Sequence, residues 1–191
     1  MLADSGALVP YYPNVFVRRG ILLEYLGAYL VVGINVGIDT YTFPHNMLNE
    51  FRWAGVLGHV PAWNVDAVKT GDVFHSVTIG RAKIFGREEI GRLAVGAKAN
   101  LVLVDARHPA MLPGREPLRV LIYSAHDRAV RDVYVDGQRI IADSKVLTMD
   151  YADAAGRLGK VQHLADLEAP KLDWAKRPMA EIAPPSLPVR P

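Results

Sequence analysis

The sequence contains no cysteine, which excludes disulfide bonds and metal sites built from thiolates. It also lacks any run of about 18 apolar residues, so no membrane span is predicted. Its 22 basic and 20 acidic residues are interspersed, and no basic stripe indicates nucleic-acid binding. The first residues have neither the basic region nor the apolar core of a signal peptide, which predicts a cytoplasmic protein.

Apolar residues, in contrast, are abundant: they make up 50% of the 191 residues and allow a sizeable core. Their pattern predicts a short strand within 5–13 and a buried strand at 34–38. Between these strands it predicts a loop at 14–20 and a largely buried helix at 21–32, with Glu24 facing outward. The order of strand, helix and strand is typical of parallel α/β structure.

The rest of the chain changes from helical to strand patterns and back. Helical spacing predicts a helix at 47–60 and shorter helices at 70–78 and 80–85. Strand-rich runs follow at 101–104, 120–123, 130–135 and 139–142, with a hairpin turn at Asp136-Gly137 between the last two. A helix is then predicted at 152–167 and an extended, proline-rich tail at 170–191.

Candidate chemistry lies where the two predicted parallel strands end. The strand at 34–38 runs directly into Asp39, and Tyr41 and His45 follow. An apolar strand with polar groups at its C-terminal end is how a (β/α) barrel presents an active site. Asp39 is therefore a candidate catalytic carboxylate and metal ligand, the alternative being a helix-cap or strand-end aspartate that is bonded to backbone amides. Tyr11, Tyr41 and His45 are candidate substrate-binding residues, the alternatives being packing for the tyrosines and a solvated cap for the histidine.

Four stretches resemble the amidohydrolase superfamily, in its metal-dependent deaminase and chlorohydrolase-like branch. They are 47–52 (MLNEFR), 74–86, 86–105 (GREEIGRLAVGAKANLVLVD) and 133–137 (VYVDG). The resemblance implies an α/β fold that forms the C-terminal portion of a longer template.

The resemblance also implies three regions. Residues 1–87 would hold the last strands and helices of a TIM-type barrel, and 88–148 a small β-sandwich-like unit. Residues 149–191 would hold a C-terminal helix and the tail.

Such enzymes hold a divalent metal, zinc or iron, which activates water to attack a C–N or C–Cl bond. The resemblance assigns this metal to two histidines of an H-x-H, a later histidine and an aspartate near the last strand. The sequence contains no H-x-H. A gapless alignment places Tyr41 where the aspartate belongs, with Asp39 two residues earlier, and Tyr11 where the family often has histidine.

We therefore expect a chain that begins within a barrel, does not retain the metal by itself and is inactive alone. Two alternatives stay open. In the first, a separate chain supplies the N-terminal barrel strands and Asp39 completes the active site. In the second, the protein is a non-catalytic module that self-associates through its unpaired strands.

Overall fold

The computed structural model describes residues 2–22 and 25–187, which form two compact units, Met1–Lys145 and Val146–Pro191. In the described ranges, no helix combines the length and the apolar character needed to cross a membrane. The main core of the first unit is built from residues that are spread widely along the chain: Tyr11, Leu26, Ile34, Val36, Ile38, Phe51, Ala54, Val68, Val73 and Ile122.

Two short strands form a parallel pair, β1 (Leu8–Tyr11) and β2 (Asn35–Ile38). They pair from Leu8 opposite Asn35 to Tyr11 opposite Ile38. Both strands lie where the apolar runs predict them, so these two predictions are confirmed. In-register parallel pairing brings both C-terminal ends to the same edge of the sheet.

The connection between β1 and β2 differs from the prediction. The predicted loop at 14–20 is wrong, because α1 (Pro13–Arg18) begins there with a proline, whose fixed φ suits the first helical position. The predicted helix at 21–32 is confirmed only for α2 (Leu26–Val31). The prediction that it is largely buried is wrong, because only Leu26 and Gly27 of α2 are buried and Val31 is 87% exposed. The predicted outward position of Glu24 lies outside the described residues.

Helix α3 (Met47–His59) confirms the helix predicted at 47–60. The side chain of Asn46 accepts a hydrogen bond from the Asn49 amide at 3.1 Å, which satisfies one of the free N–H groups of the first turn. The buried face of α3 contains Glu50, Phe51, Ala54, Gly55 and Gly58.

The helices predicted at 70–78 and 80–85 form one continuous helical stretch. It consists of α4 (Thr70–His75), a π-helical turn at Ser76–Gly80 and α5 (Arg81–Ile84). We call the turn at Ser76–Gly80 the π segment. The Asn35 side-chain amide donates to the Gly80 carbonyl at 3.0 Å, so the helical stretch packs against β2.

A second sheet contains β3 (Leu101–Val104), β4 (Val130–Val135), β5 (Gln138–Ala142) and β6 (Lys145–Val146), in that order. The pairs β3–β4 and β4–β5 are antiparallel. The hairpin predicted at Asp136-Gly137 is confirmed, and both residues have positive φ angles, 51° and 82°. Positive φ at both central residues is what a type I′ turn requires.

The strand predicted at 120–123 is wrong, because these residues belong to α6 (Pro117–Tyr123). Proline stands at the first helical position, and the Glu116 carboxylate accepts a hydrogen bond from the Arg119 amide at 2.6 Å. This start signal and the burial of Ile122 in the core override the strand preference of the run.

The second unit contains α7 (Tyr151–Leu172) and α8 (Met179–Ile182). Helix α7 confirms the helix predicted at 152–167 and extends further. The extended tail predicted from residue 170 is wrong for 170–172 and for α8. The helix passes through Pro170, and beyond it the Asp173 amide still donates to the Ala169 carbonyl at 2.9 Å.

Candidate functional site

The C-terminal ends of β1 and β2 meet through the backbone. The Asp39 amide, the first after β2, donates to the carbonyl of Tyr11, the last residue of β1, at 3.0 Å. Ligand sites of parallel α/β proteins lie at this edge of the sheet. We call this place the strand-end site.

Asp39 is the acidic side chain of the strand-end site, and it is already engaged. Its Oδ1 accepts a hydrogen bond from the Thr40 amide at 2.7 Å and lies 2.8 Å from Nη2 of Arg81. The side chain of Asp39 is 20% exposed and that of Arg81 is 34% exposed. The pair is therefore shielded only in part from solvent.

A second carboxyl group lies deeper. Glu50 in α3 is fully buried, and its Oε2 accepts a hydrogen bond from the Asn14 amide at 3.0 Å. Within the described residues, neither Oε1 of Glu50 nor Nδ2 of Asn14 makes a hydrogen bond of acceptable geometry. Burial raises the pKa of Glu50 above its ordinary value of 4.5, contact with Asn14 lowers it in part, and the charge of Asp39 raises it further.

Tyr11 is buried beside these groups. Burial raises the pKa of its phenol to about 12, and the charges of Tyr29 and Glu50 contribute in the same direction. The phenol therefore stays protonated near neutral pH, where it can take part in hydrogen bonds but cannot act as a base.

The other two predicted binding residues lie at the surface. Tyr41 is 60% exposed, and its ring packs at 51° to the ring of Tyr12 with centroids 5.3 Å apart. His45 is exposed, with no polar partner among the described residues. The strand ends thus bring Asp39 and Tyr11 together, and Tyr41 packs against Tyr12. His45 makes no contact with these described residues through a polar group.

Sequence reasoning missed three members of the strand-end site: Asn14, Glu50 and Arg81. Glu50 carried a signal, because it is four residues before Ala54 and so shares the buried face of α3. Arg81 carried no such signal, since its contact with Asp39 depends on how the helical stretch packs on β2.

The described residues do not fit a metal ion by themselves. No group of three or more His, Asp or Glu side chains among them is arranged to hold one. Asp39 supplies a single carboxylate, and a guanidinium already faces it. A metal would therefore need further ligands and would meet a like charge at Oδ1.

The family model of the amidohydrolase family matches residues 21–140. Because this match covers more than half of the sequence, the chain belongs to the amidohydrolase family.

Several curated relatives are deaminases. The 5-methylthioadenosine/S-adenosylhomocysteine deaminase of Pyrococcus furiosus is 32% identical over 154 residues, which are 78% of this chain and 36% of the relative. Its counterpart in Natronomonas pharaonis is 31% identical over 171 residues, 87% of this chain and 39% of the relative. The chain thus spans only 36% to 39% of the length of these relatives.

Solved structures agree on the fold. An adenosine deaminase from Xanthomonas campestris with bound zinc superposes with a TM-score of 0.80 at 25% identity, over 84% of this chain and 38% of that one. Atrazine chlorohydrolase from Arthrobacter aurescens TC1, complexed with zinc, gives a TM-score of 0.76 over 83% of this chain and 36% of that one. Its identity is 21%, so this second likeness concerns the fold alone.

Proposed function

We propose that this chain is the C-terminal part of a metal-dependent hydrolase that cleaves non-peptide C–N bonds, with the amino group of a purine nucleoside as the leaving group. In this proposal β1 and β2 are the last strands of a TIM-type barrel, and the sheet β3–β6 belongs to a β-sandwich-like unit. The observation that carries it is the position of Asp39 directly after β2, at the edge where such barrels place their chemistry.

The deaminase relatives favour a C–N bond over a C–Cl bond. The two relatives at 32% and 31% identity are named for deamination, whereas the likeness to the chlorohydrolase rests on the fold. In the proposed enzyme, Asp39 would be the acidic group nearest the reacting centre. Tyr11 and Glu50 would hold the ends of the two strands in place beneath it.

The 191-residue chain is proposed to be inactive alone, because it has no H-x-H and its described residues form no metal-binding cluster. The test is an ammonia-release assay of the purified chain with 5′-deoxyadenosine and 5-methylthioadenosine, together with metal analysis. We expect no turnover and no stoichiometric metal. Stoichiometric zinc or iron would contradict this part of the proposal.

A second candidate is an enzyme completed by a separate chain that supplies the N-terminal barrel strands. The observation that favours it is the two-stranded sheet: within the part of the chain that the structure describes, β1 and β2 pair only with each other, so each has an unpaired edge. Co-expression with the N-terminal barrel portion of a deaminase relative tests it. A stable complex that releases ammonia supports this candidate, and absence of both complex and turnover rejects it.

The same unpaired edges allow a third candidate, a non-catalytic module that associates with its own copies. Leu8 on β1 is 45% exposed and adds apolar surface at the edge. Light scattering across a concentration series tests this candidate. A monodisperse monomer at every concentration would reject self-association.

A further inference from the structure

The strand-end site contains a cation that belongs to the chain itself. The guanidinium of Arg81 lies 2.8 Å from Oδ1 of Asp39, on the same oxygen that accepts the Thr40 amide. This oxygen therefore already has two donors. Any other cation that approached it would encounter the positive charge of the guanidinium at close range.

The backbone fixes the position of Arg81. It is the first residue after the π segment, and π-helical turns are rare and often found at functional sites. A Cβ at Gly80 would overlap the carbonyl oxygen of Val36, and one at Gly37 would come within 3.0 Å of Cα of Arg81. Two glycines thus allow the helical stretch to lie against β2 and bring Arg81 within reach of Asp39.

An aromatic ring holds the guanidinium from a further side. The Cζ atom of Arg81 lies 5.4 Å from the ring centroid of Phe85, four residues later. This distance is within the range of a cation–π contact, which stabilises the charged side chain. The helical backbone, the ring and the carboxylate together define one position for the Arg81 charge.

We propose that Arg81 is the resident counter-ion of Asp39, which occupies the carboxylate in place of a metal and must be displaced before a metal can bind there. This inference rests on the proposed function, because it concerns the metal preference of the same strand-end site. Arg81 acts here as a positioning residue that lowers the affinity of Asp39 for added cations. It has no part in bond cleavage.

The test is a titration of the 191-residue chain with Tb³⁺, a hard cation that prefers carboxylate oxygens and whose luminescence nearby tyrosines sensitise. Tyr41 lies two residues after Asp39 and is exposed. We expect Arg81→Gln to bind Tb³⁺ about fivefold more tightly than the wild type, as expected for loss of a partly exposed ion pair. The double variant Asp39→Asn/Arg81→Gln is expected to lose this gain.

The matched control is Arg87→Gln, which removes the same charge from an exposed pair with Glu89 at 2.6 Å. An equal gain in Arg87→Gln, or no gain in Arg81→Gln, would overturn the inference. Should circular dichroism show that Arg81→Gln is unfolded, Asp39→Asn alone decides. Unchanged Tb³⁺ affinity supports a blocked carboxylate, and weaker binding overturns it.

This titration needs no catalysis. Absence of ammonia release from the chain co-expressed with the N-terminal barrel strands would therefore reject the second candidate function, and turnover by the chain alone would contradict the proposed inactivity. Neither result changes the measured competition between Arg81 and the cation.

Discussion

A buried carboxylate on the antiparallel sheet and one on helix α3, behind the parallel sheet, have opposite surroundings. Asp132 on β4 is 3% exposed, yet it accepts hydrogen bonds from Nη2 of Arg139 at 2.6 Å, the Asp143 amide at 3.1 Å and Nε of Arg131 at 2.8 Å. These donors hold the pKa of Asp132 well below its ordinary value of 3.8. Glu50, behind the parallel sheet, has one well-formed hydrogen bond, and its pKa is raised by burial.

The difference separates a buried carboxylate whose hydrogen bonds are all made from one whose hydrogen bonds are made only in part. A buried charge with all its hydrogen bonds made stabilises the fold around it, whereas a buried polar atom without a partner costs free energy. The antiparallel sheet contains the first kind. The two carboxylates near the strand-end site differ from Asp132. Among the described residues, Oε1 of Glu50 has no well-formed hydrogen bond, and Asp39 has the Thr40 amide and the partly exposed Arg81 as its donors.

The largest expected effect concerns the backbone of the parallel sheet. In Gly80→Ala, the added methyl group overlaps the carbonyl oxygen of Val36, so the helical stretch must move off β2. We expect the free energy of unfolding to fall by about 1–3 kcal/mol, as is typical of overpacking. Urea unfolding measures it. Gly71→Ala, where an added Cβ meets nothing within 4 Å, is the control and should change little.

Next in size is the loss of the Glu50 side chain. Glu50→Ala leaves the Asn14 amide without its acceptor, which should lower the free energy of unfolding by about 1–3 kcal/mol. Glu50→Gln keeps an acceptor oxygen and removes the charge, so at neutral pH it should be at least as stable as the wild type. A Gln variant as unstable as the Ala variant would show that the charge itself is required.

The two carboxylates should also give opposite pH dependences. The raised pKa of Glu50 means that its contribution to stability is complete below pH 4.5 and is lost as the pH rises through the folded-state pKa. The lowered pKa of Asp132 means that its contribution is present above pH 3.8 and is lost as the pH falls. Urea unfolding between about pH 2 and pH 8 follows the Glu50 contribution and most of the Asp132 contribution.

Two single variants separate these contributions. Glu50→Gln should gain stability relative to the wild type as the pH rises above 4.5. Asp132→Asn should be less stable than the wild type above pH 3.8, and this difference should shrink as the pH falls below 3.8. Parallel curves for the two variants would contradict the comparison.

The smallest effect is expected at Asp39. Because both members of the pair with Arg81 are partly exposed, Asp39→Asn should cost less than about 1 kcal/mol in the free energy of unfolding. The metal content of the purified chain should stay at the wild-type level. If Asp39→Asn removes stoichiometric metal, Asp39 is a ligand in spite of Arg81.

The residue pattern of a short segment predicted those strands, turns and helices whose formation depends on residues close together in the sequence. The apolar run at 34–38, the hairpin at Asp136-Gly137 and the amphipathic pattern of α3 each contain their own signal, and each is confirmed. The run at 120–123 misled because its apolar, partly β-branched residues favour a strand. A capping Glu116, a proline and core burial select a helix instead.

The strand-end site was predictable only where a residue adjoins a strand. Asp39 and Tyr11 were found because polar or aromatic groups follow apolar runs. Arg81 was not, because its role depends on close backbone approaches at Gly37 and Gly80, and no local periodicity encodes contacts between distant segments.

The π segment also decides in which direction the side chains after it point. A π-helical turn contains more residues than an α-helical turn, so the phase of every later side chain depends on the number of residues in Ser76–Gly80. Winding the same residues as a regular α-helix, at about 100° per residue, would carry them further around the helix axis and turn Arg81 away from Asp39. The π segment thus accommodates an extra residue and keeps the guanidinium of Arg81 facing Asp39.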